Sequence, residues 1–192
     1  PWVDVAIGAW HWCAVDTAGP AVCWGVGTEE ELTVPTGLGP IQRIATGESS
    51  TCVIHTAGAV YCWGDPGNFQ TAVPLTVDAA LEITAGAGFY CALTTGREVI
   101  CWGANNRGQR TVPTGLRPIY QLSSGVGHTC AVDDLGGVRC WGDNRQGQAT
   151  VPVGLAPVQQ VSAGMEHTCA LMVAGNTVCW GNGNDGQNIL LY

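Results

Sequence analysis

Short apolar runs, broken at close intervals by glycine, proline, asparagine and aspartate, fill the whole chain. Residues 118–156 illustrate the unit. Ile119 and Leu122 are the apolar positions of a first segment that ends near Gly125. His128 to Asp134 forms a second segment, followed by a turn at Leu135, Gly136 and Gly137. Val138 to Gly142 forms a third, followed by a polar loop from Asp143 to Gly147. Gln148 to Pro152 closes the unit, and Gly154-Leu155 leads to the next proline. Apolar runs this short, bounded by turn residues, predict four strands and no helix.

The same unit recurs five times. Cys13 and Cys23, Cys52 and Cys62, Cys91 and Cys101, Cys130 and Cys140, and Cys169 and Cys179 each stand ten positions apart, and each pair follows the previous one by 39. The copies are 1–39, 40–78, 79–117, 118–156 and 157–192, the last three residues short of 39. A unit of this size is too small to bury a core alone, but stacked units share one. Tandem four-stranded units arranged radially predict an all-β, five-bladed β-propeller, one domain over 1–192. A linear β-solenoid is the alternative, and it would normally carry capping units that this sequence does not show. In a closed ring Pro1 and Tyr192 are neighbours, and Ile189 and Leu190 form the last blade's fourth strand.

Within each copy the two cysteines flank a tight hairpin and face each other across antiparallel strands, within disulfide reach. Ten cysteines permit many pairings, but the local one needs no chain crossing and repeats identically. Zinc is the competing reading, and it usually requires two pairs of close ligands rather than nine intervening residues. An even set of cysteines at fixed spacing implies one disulfide per blade and a secreted, extracellular protein.

Other positions recur with the same period. Trp24, Trp63, Trp102, Trp141 and Trp180 follow the second cysteine of each copy and are expected to be packing wedges. Gly8, Gly47, Gly86, Gly125 and Gly164 end the first segment, where the backbone must turn or approach another closely. Gln70, Gln109, Gln148 and Gln187 recur in the last turn, with Glu31 in the first copy, and are expected to satisfy backbone groups there.

Composition narrows the function. All seven basic residues are arginines, and fifteen acids give a net charge of −8. Nucleic acid, which needs clustered positive charge, is excluded as an expected partner. No apolar stretch approaches the length of a membrane span, and no basic start precedes an apolar run as in a signal peptide. No catalytic motif is present. His11, His128 and His167 occupy one repeat position, where Ser50 and Phe89 replace them in the other copies. That marks them as packing residues rather than as a singular catalytic base. Asp133-Asp134 lies in a hairpin turn, and no calcium or phosphate loop is present. The chain is expected to be no enzyme and to need no cofactor or metal.

The pattern G-x-x-H-T-C-A-V over 125–132, with V-x-C-W-G-x-N-x-x-G-Q-x-x-V-P-x-G-L over 138–155, resembles the regulator of chromosome condensation repeat. It is most similar to the short bacterial version of that repeat, found in streptomycete propeller-type β-lactamase inhibitors. The resemblance covers residues 1–192. Relatives commonly have seven blades, and this chain has material for five. The resemblance implies a protein-binding face made by one loop type, just before the first cysteine of each copy. Those loops vary while their frame does not, and aromatic residues concentrate in them. Carried across, Trp10 and Trp12 are the anchors, His11 lies between them, and Phe89 and Tyr90 are second in rank. In the opposing reading, Trp10 and Trp12 pack against Trp2 and the chain ends to seal the ring. A secreted lectin is the alternative function, with Asn105, Gln109, Asn144, Gln148 and Gln187 as its recurring polar set. The expected partner is thus an extracellular protein or a glycan.

Overall fold

The computed structural model describes residues 2–16, 21–27 and 29–183. Blade 1 contains β1 (Trp2–Ile7), β2 (His11–Asp16) and β3 (Val22–Gly25), followed by one helical turn, α1 (Glu29–Leu32). Blade 2 contains β4 (Ile41–Thr46), β5 (Ser50–His55) and β6 (Val60–Gly64). Blade 3 contains β7 (Ala80–Ala85), β8 (Phe89–Thr94) and β9 (Val99–Gly103). Blade 4 contains β10 (Ile119–Ser124), β11 (His128–Asp133) and β12 (Val138–Gly142). Blade 5 contains β13 (Val158–Ala163), β14 (His167–Met172) and β15 (Thr177–Gly181). Each blade is an antiparallel sheet in chain order, and the five together form a five-bladed, all-β propeller.

Each sheet has three strands among the described residues, not the expected four. In blade 4, Gly147 N–H bonds back to Asn144 and Thr150 N–H bonds back to Gly147, so the polar loop's own turns take these donors. Pro152 then brings no N–H at all. The segment expected to be a strand therefore runs as turns. The expectations for Pro1, Gln187, Ile189, Leu190 and Tyr192 lie outside the described residues.

The three-residue spacing of Ile119 and Leu122 is wrong for a regular strand, whose period is two. The register resolves it. Ile119 opposes Asp133, Gln121 opposes Val132, and a bulge lies between them. The extra residue turns both apolar side chains to one face. The same irregularity opens β1, β4, β7 and β13.

All five disulfides are local, joining directly opposed residues of the second and third strands at Cα separations of 4.0–4.1 Å.

The core is divided among the seams between blades. Cys13 and Val15 of blade 1 meet Ile41, Ile44, Val53 and Trp63 of blade 2. Equivalent clusters fill the next three seams. The first strands are innermost, with β1 against β4, β4 against β7, β7 against β10, and β10 against β13. Their ends approach so closely that a side chain at Gly86 would meet the Gly125 carbonyl oxygen at 2.5 Å. Close approach, rather than positive φ, requires glycine there.

Four of the five recurrent tryptophans act as wedges. The Trp63, Trp102, Trp141 and Trp180 indole N–H groups donate to the carbonyls of Glu31, Gln70, Gln109 and Gln148 in the preceding blade, at 2.8–3.1 Å. Trp24 differs, being 40% exposed against 6% for Trp141. The same holds across that whole side of blade 1. Trp2, Val5 and Ile7 are exposed, whereas Ile119, Leu122 and their counterparts are buried under the blade before them.

Candidate partner-binding face

Five equivalent loops join the first and second strands, and all converge at one end of the innermost strands. Together they line an apolar cavity of about 540 Å³ that includes Ile7, Trp10, Ala87, Val126 and Met165. The frame of each loop is rigid. Gly8 N–H donates to the His11 carbonyl at 2.9 Å and Val26 N–H donates to the Trp10 carbonyl at 2.8 Å. Ala87 N–H reaches across a seam to the Val126 carbonyl at 3.0 Å. Backbone bonds thus fix the loops, and the side chains between these bonds are free to differ.

Trp10 is 62% exposed and Met165 68% exposed, and both line this mouth. Glu48 places one carboxylate among the apolar lining. Val126 and Met165 escape a reading confined to the three residues before each first cysteine. Their signal lies one step upstream. The residue after the recurrent glycine is Ala9, Glu48, Ala87, Val126 or Met165, a varied set inside a constant frame.

Most of the other expected contact residues are corrected. His11, Phe89 and Tyr90 are fully buried in the seams and cannot reach a partner. Odd positions of the second strand face one neighbouring blade and even positions face the other, so residues adjacent to an exposed loop turn inward. The Tyr90 hydroxyl lies 2.9 Å from Ser50 Oγ, and burial raises its pKa. His11 Nε2 lies 2.8 Å from Thr51 Oγ1, and burial lowers its pKa. Trp12 is exposed on the open side of blade 1, away from the mouth, and packs edge-on against Trp24 with ring centroids 6.2 Å apart. Trp10 is 62% exposed, and the chain ends of the opposing reading lie outside the described residues.

The described members of the lectin reading's polar set are already engaged, and Gln187 lies outside the described residues. Gln109 and Gln148 are buried, and their Oε1 atoms accept from Arg107 N–H at 2.7 Å and Gln146 N–H at 2.9 Å. Asn105 and Asn144 Oδ1 accept from Arg110 and Ala149 N–H at 3.0 and 2.9 Å. These amides shape the turns and present no free polar array. Asp133 Oδ1 likewise accepts from Leu135 and Gly137 N–H within its own turn. Asp143 is held by Arg145 and Arg107, whose guanidinium groups draw its pKa down to about 2. No cluster of three His, Cys, Asp or Glu suited to a metal ion occurs among the described residues. No helix there is long and apolar enough to cross a membrane.

Comparison with known proteins agrees with this architecture. The chain superposes on the CRINKLY ectodomain of the Arabidopsis thaliana receptor kinase ACR4 with a TM-score of 0.79 and 25% identity, over 94% of this chain and 72% of that one. The ectodomain of the Physcomitrella patens receptor kinase CR4 matches with a TM-score of 0.71 and 26% identity, over 92% of this chain and 49% of that one. Saccharomyces cerevisiae Prp20p, whose structure is described with its binding to Gsp1p and histones, shares the fold at 18% identity and a TM-score of 0.79, over 94% of this chain and 57% of that one. A search of curated protein sequences finds no match. The family model for the regulator of chromosome condensation (RCC1) repeat matches residues 41–70, 81–109, 119–148 and 158–187, more than half of the chain. The chain belongs to the RCC1 repeat family.

Proposed function

We propose that this chain is a non-enzymatic extracellular binding module, and that the apolar mouth around Trp10 receives a protein partner. One observation carries the reading. Five structurally equivalent loops, pinned by backbone bonds, bring an exposed tryptophan and an exposed methionine to the rim of one shared apolar cavity. A large aromatic beside a desolvated cavity is the usual anchor of a protein interface. Glu48 in the lining favours a partner group that pairs an apolar side chain with a basic one. One disulfide in every blade and the likeness to two receptor-kinase ectodomains support the extracellular setting. Inhibition of an extracellular enzyme is the finer form of the proposal and rests on the resemblance to the bacterial inhibitors.

The test is affinity capture from the native extracellular fluid, followed by measured affinity for the partner identified. Trp10→Ala and Met165→Asp are compared with Val153→Ala, an exposed residue outside the cavity. Truncating an interface anchor costs about 2 kcal/mol or more, roughly thirtyfold in affinity, so Trp10→Ala should weaken binding by that much. Undiminished binding by Trp10→Ala and Met165→Asp would place the site elsewhere. Retention of glycans instead of a protein would return the lectin reading.

A further inference from the structure

The seams between blades obey a size rule. At each, the residue two before a blade's first cysteine faces the residue one before the next blade's first cysteine. His11 meets Thr51 and His128 meets Thr168, each pair 2.8 Å apart. Ser50 meets Tyr90 at 2.9 Å. Phe89 stands at the same place as these histidines, opposite Thr129. Every pair joins one bulky and one small side chain, and where the second partner is bulky the first is serine.

Direct packing of blade 5 on blade 1 would set His167 against Trp12. Two bulky groups would then share a space that holds one in every other seam, and overpacking of this kind destabilises. The described residues match that conflict. Trp2, Val5, Ile7, Trp12 and Trp24 on the incoming side of blade 1 remain exposed, while their counterparts in blades 2 to 5 are buried or half-buried. On the outgoing side of blade 5, His167, Cys169 and Leu171 are half-buried, whereas His128, Cys130 and Val132 are fully buried.

We propose that the incoming side of blade 1 is an interface for a further repeat of this family, one with a small residue at the Ser50 position. The rule argues against both blade 5 of the same molecule and blade 5 of a second copy, since either presents His167 to Trp12. The length of the relatives is consistent with this, because the ACR4 ectodomain structure extends beyond the 72% of it that this chain matches. The chemistry of the occupant follows from the other seams. It offers a turn carbonyl to the Trp24 indole, as Gln109 does to Trp141. It also offers an acceptor side chain to Val5 N–H, as Gln121 does to Val161. In the present structure Val5 N–H donates to its own Asp4 Oδ1 at 3.0 Å.

The test compares three proteins by tryptophan oxidation mapping and amide hydrogen exchange. The first is the 192-residue chain, the second carries before residue 1 an added copy of repeat 40–78 with Arg43→Gln and Ala45→Ser, which supplies the acceptors that Gln121 and Ser123 offer across their seam, and the third carries that same copy with Ser50→His as well. In the 192-residue chain, Trp24 should oxidise readily and the Val5 and Ile7 amides should exchange fast, while Trp63 and Trp141 stay protected and report folded blades. The added serine repeat should protect Trp24 and slow those amides at least tenfold. The histidine version should not. Protection of Trp24 in the 192-residue chain itself would overturn the proposal, at any concentration if blade 5 closes the ring, or only at high concentration if a second copy docks. Failure of the serine repeat to protect, or equal protection by the histidine repeat, would also overturn it. Should that fusion not fold, the same repeat added after residue 192 tests the other seam through protection of His167, with Thr51→Trp as its control.

Discussion

His128 Nε2 lies 2.8 Å from Thr168 Oγ1, and Thr168 Oγ1 donates in turn to the Gln148 carbonyl at 2.9 Å. The threonine hydrogen is committed to the carbonyl, so the histidine must donate. Nε2 therefore carries a proton, and the neutral ring is the Nε2–H tautomer. His128 Nδ1 is buried without a hydrogen-bond partner among the described residues. Protonating it would place a charged N–H in a dry seam, and burial accordingly pushes the His128 pKa down to about 4. The two residues belong to different copies, 40 positions apart. Together with the seam's apolar cluster they fix how blade 5 sits on blade 4.

Thr168→Val should break this relay while keeping its shape. It leaves His128 Nε2–H and the Gln148 carbonyl each short of one bond, for a cost of about 1–3 kcal/mol. Chemical denaturation at neutral pH measures the loss.

Acid should weaken the same seam. The folded-state pKa of His128 lies below its ordinary value of 6.5. The unfolded chain therefore takes up the proton first, and stability is lost as pH falls from about 6.5 toward 4. The size is on the order of 3 kcal/mol. His128→Phe should remove this part of the acid limb and still fold, because Phe89 fills the equivalent position in blade 3. The check is the melting temperature of both proteins, followed from about pH 8 down to about pH 4.

Glu82 acts in the opposite sense. Its Oε2 accepts from Leu122 N–H at 3.0 Å, yet burial raises its pKa to about 7. The folded state holds the proton longer than the unfolded one, so this group costs stability as pH rises from about 4.5 to 7. The equivalent residue, Gln121, makes the same cross-seam bond without a charge, its Oε1 accepting from Val161 N–H at 2.9 Å. Glu82→Gln should stabilise the protein above about pH 7 by on the order of 2 kcal/mol and flatten its neutral pH dependence.

The recurrent tryptophans should separate into two classes. Trp141→Ala empties a buried seam and should cost about 3–5 kcal/mol. Trp24→Ala, at an exposed equivalent, should cost less than half of that in the 192-residue chain. Urea denaturation of the two variants beside the parent protein separates the classes.

Non-reducing peptide mapping should yield five cross-links, each within one copy, as in Cys130 to Cys140. Reduction should remove roughly 2–3 kcal/mol per bond, enough for several bonds to rival a domain's whole stability.

The period of 39 determined the repeat, the local disulfides, the all-β class and the position of each tryptophan wedge, because all of these follow from spacing along one short hairpin. Gln109 and Gln148 were legible as turn residues for the same reason, since their partners lie two positions away. The contact face was less legible. Phe89 and Tyr90 follow an exposed loop in the sequence, but strand alternation sends their side chains into opposite seams, and only the neighbouring blades reveal that both are buried. Met165 and Trp10 lie in copies five and one, and only the convergence of the innermost strands brings them to one cavity. Trp24 and Trp141 have the same local sequence, yet the first is exposed and the second covered. Local geometry repeats with the sequence. Burial at a seam depends on which blade comes next, and that is a property of the assembled array.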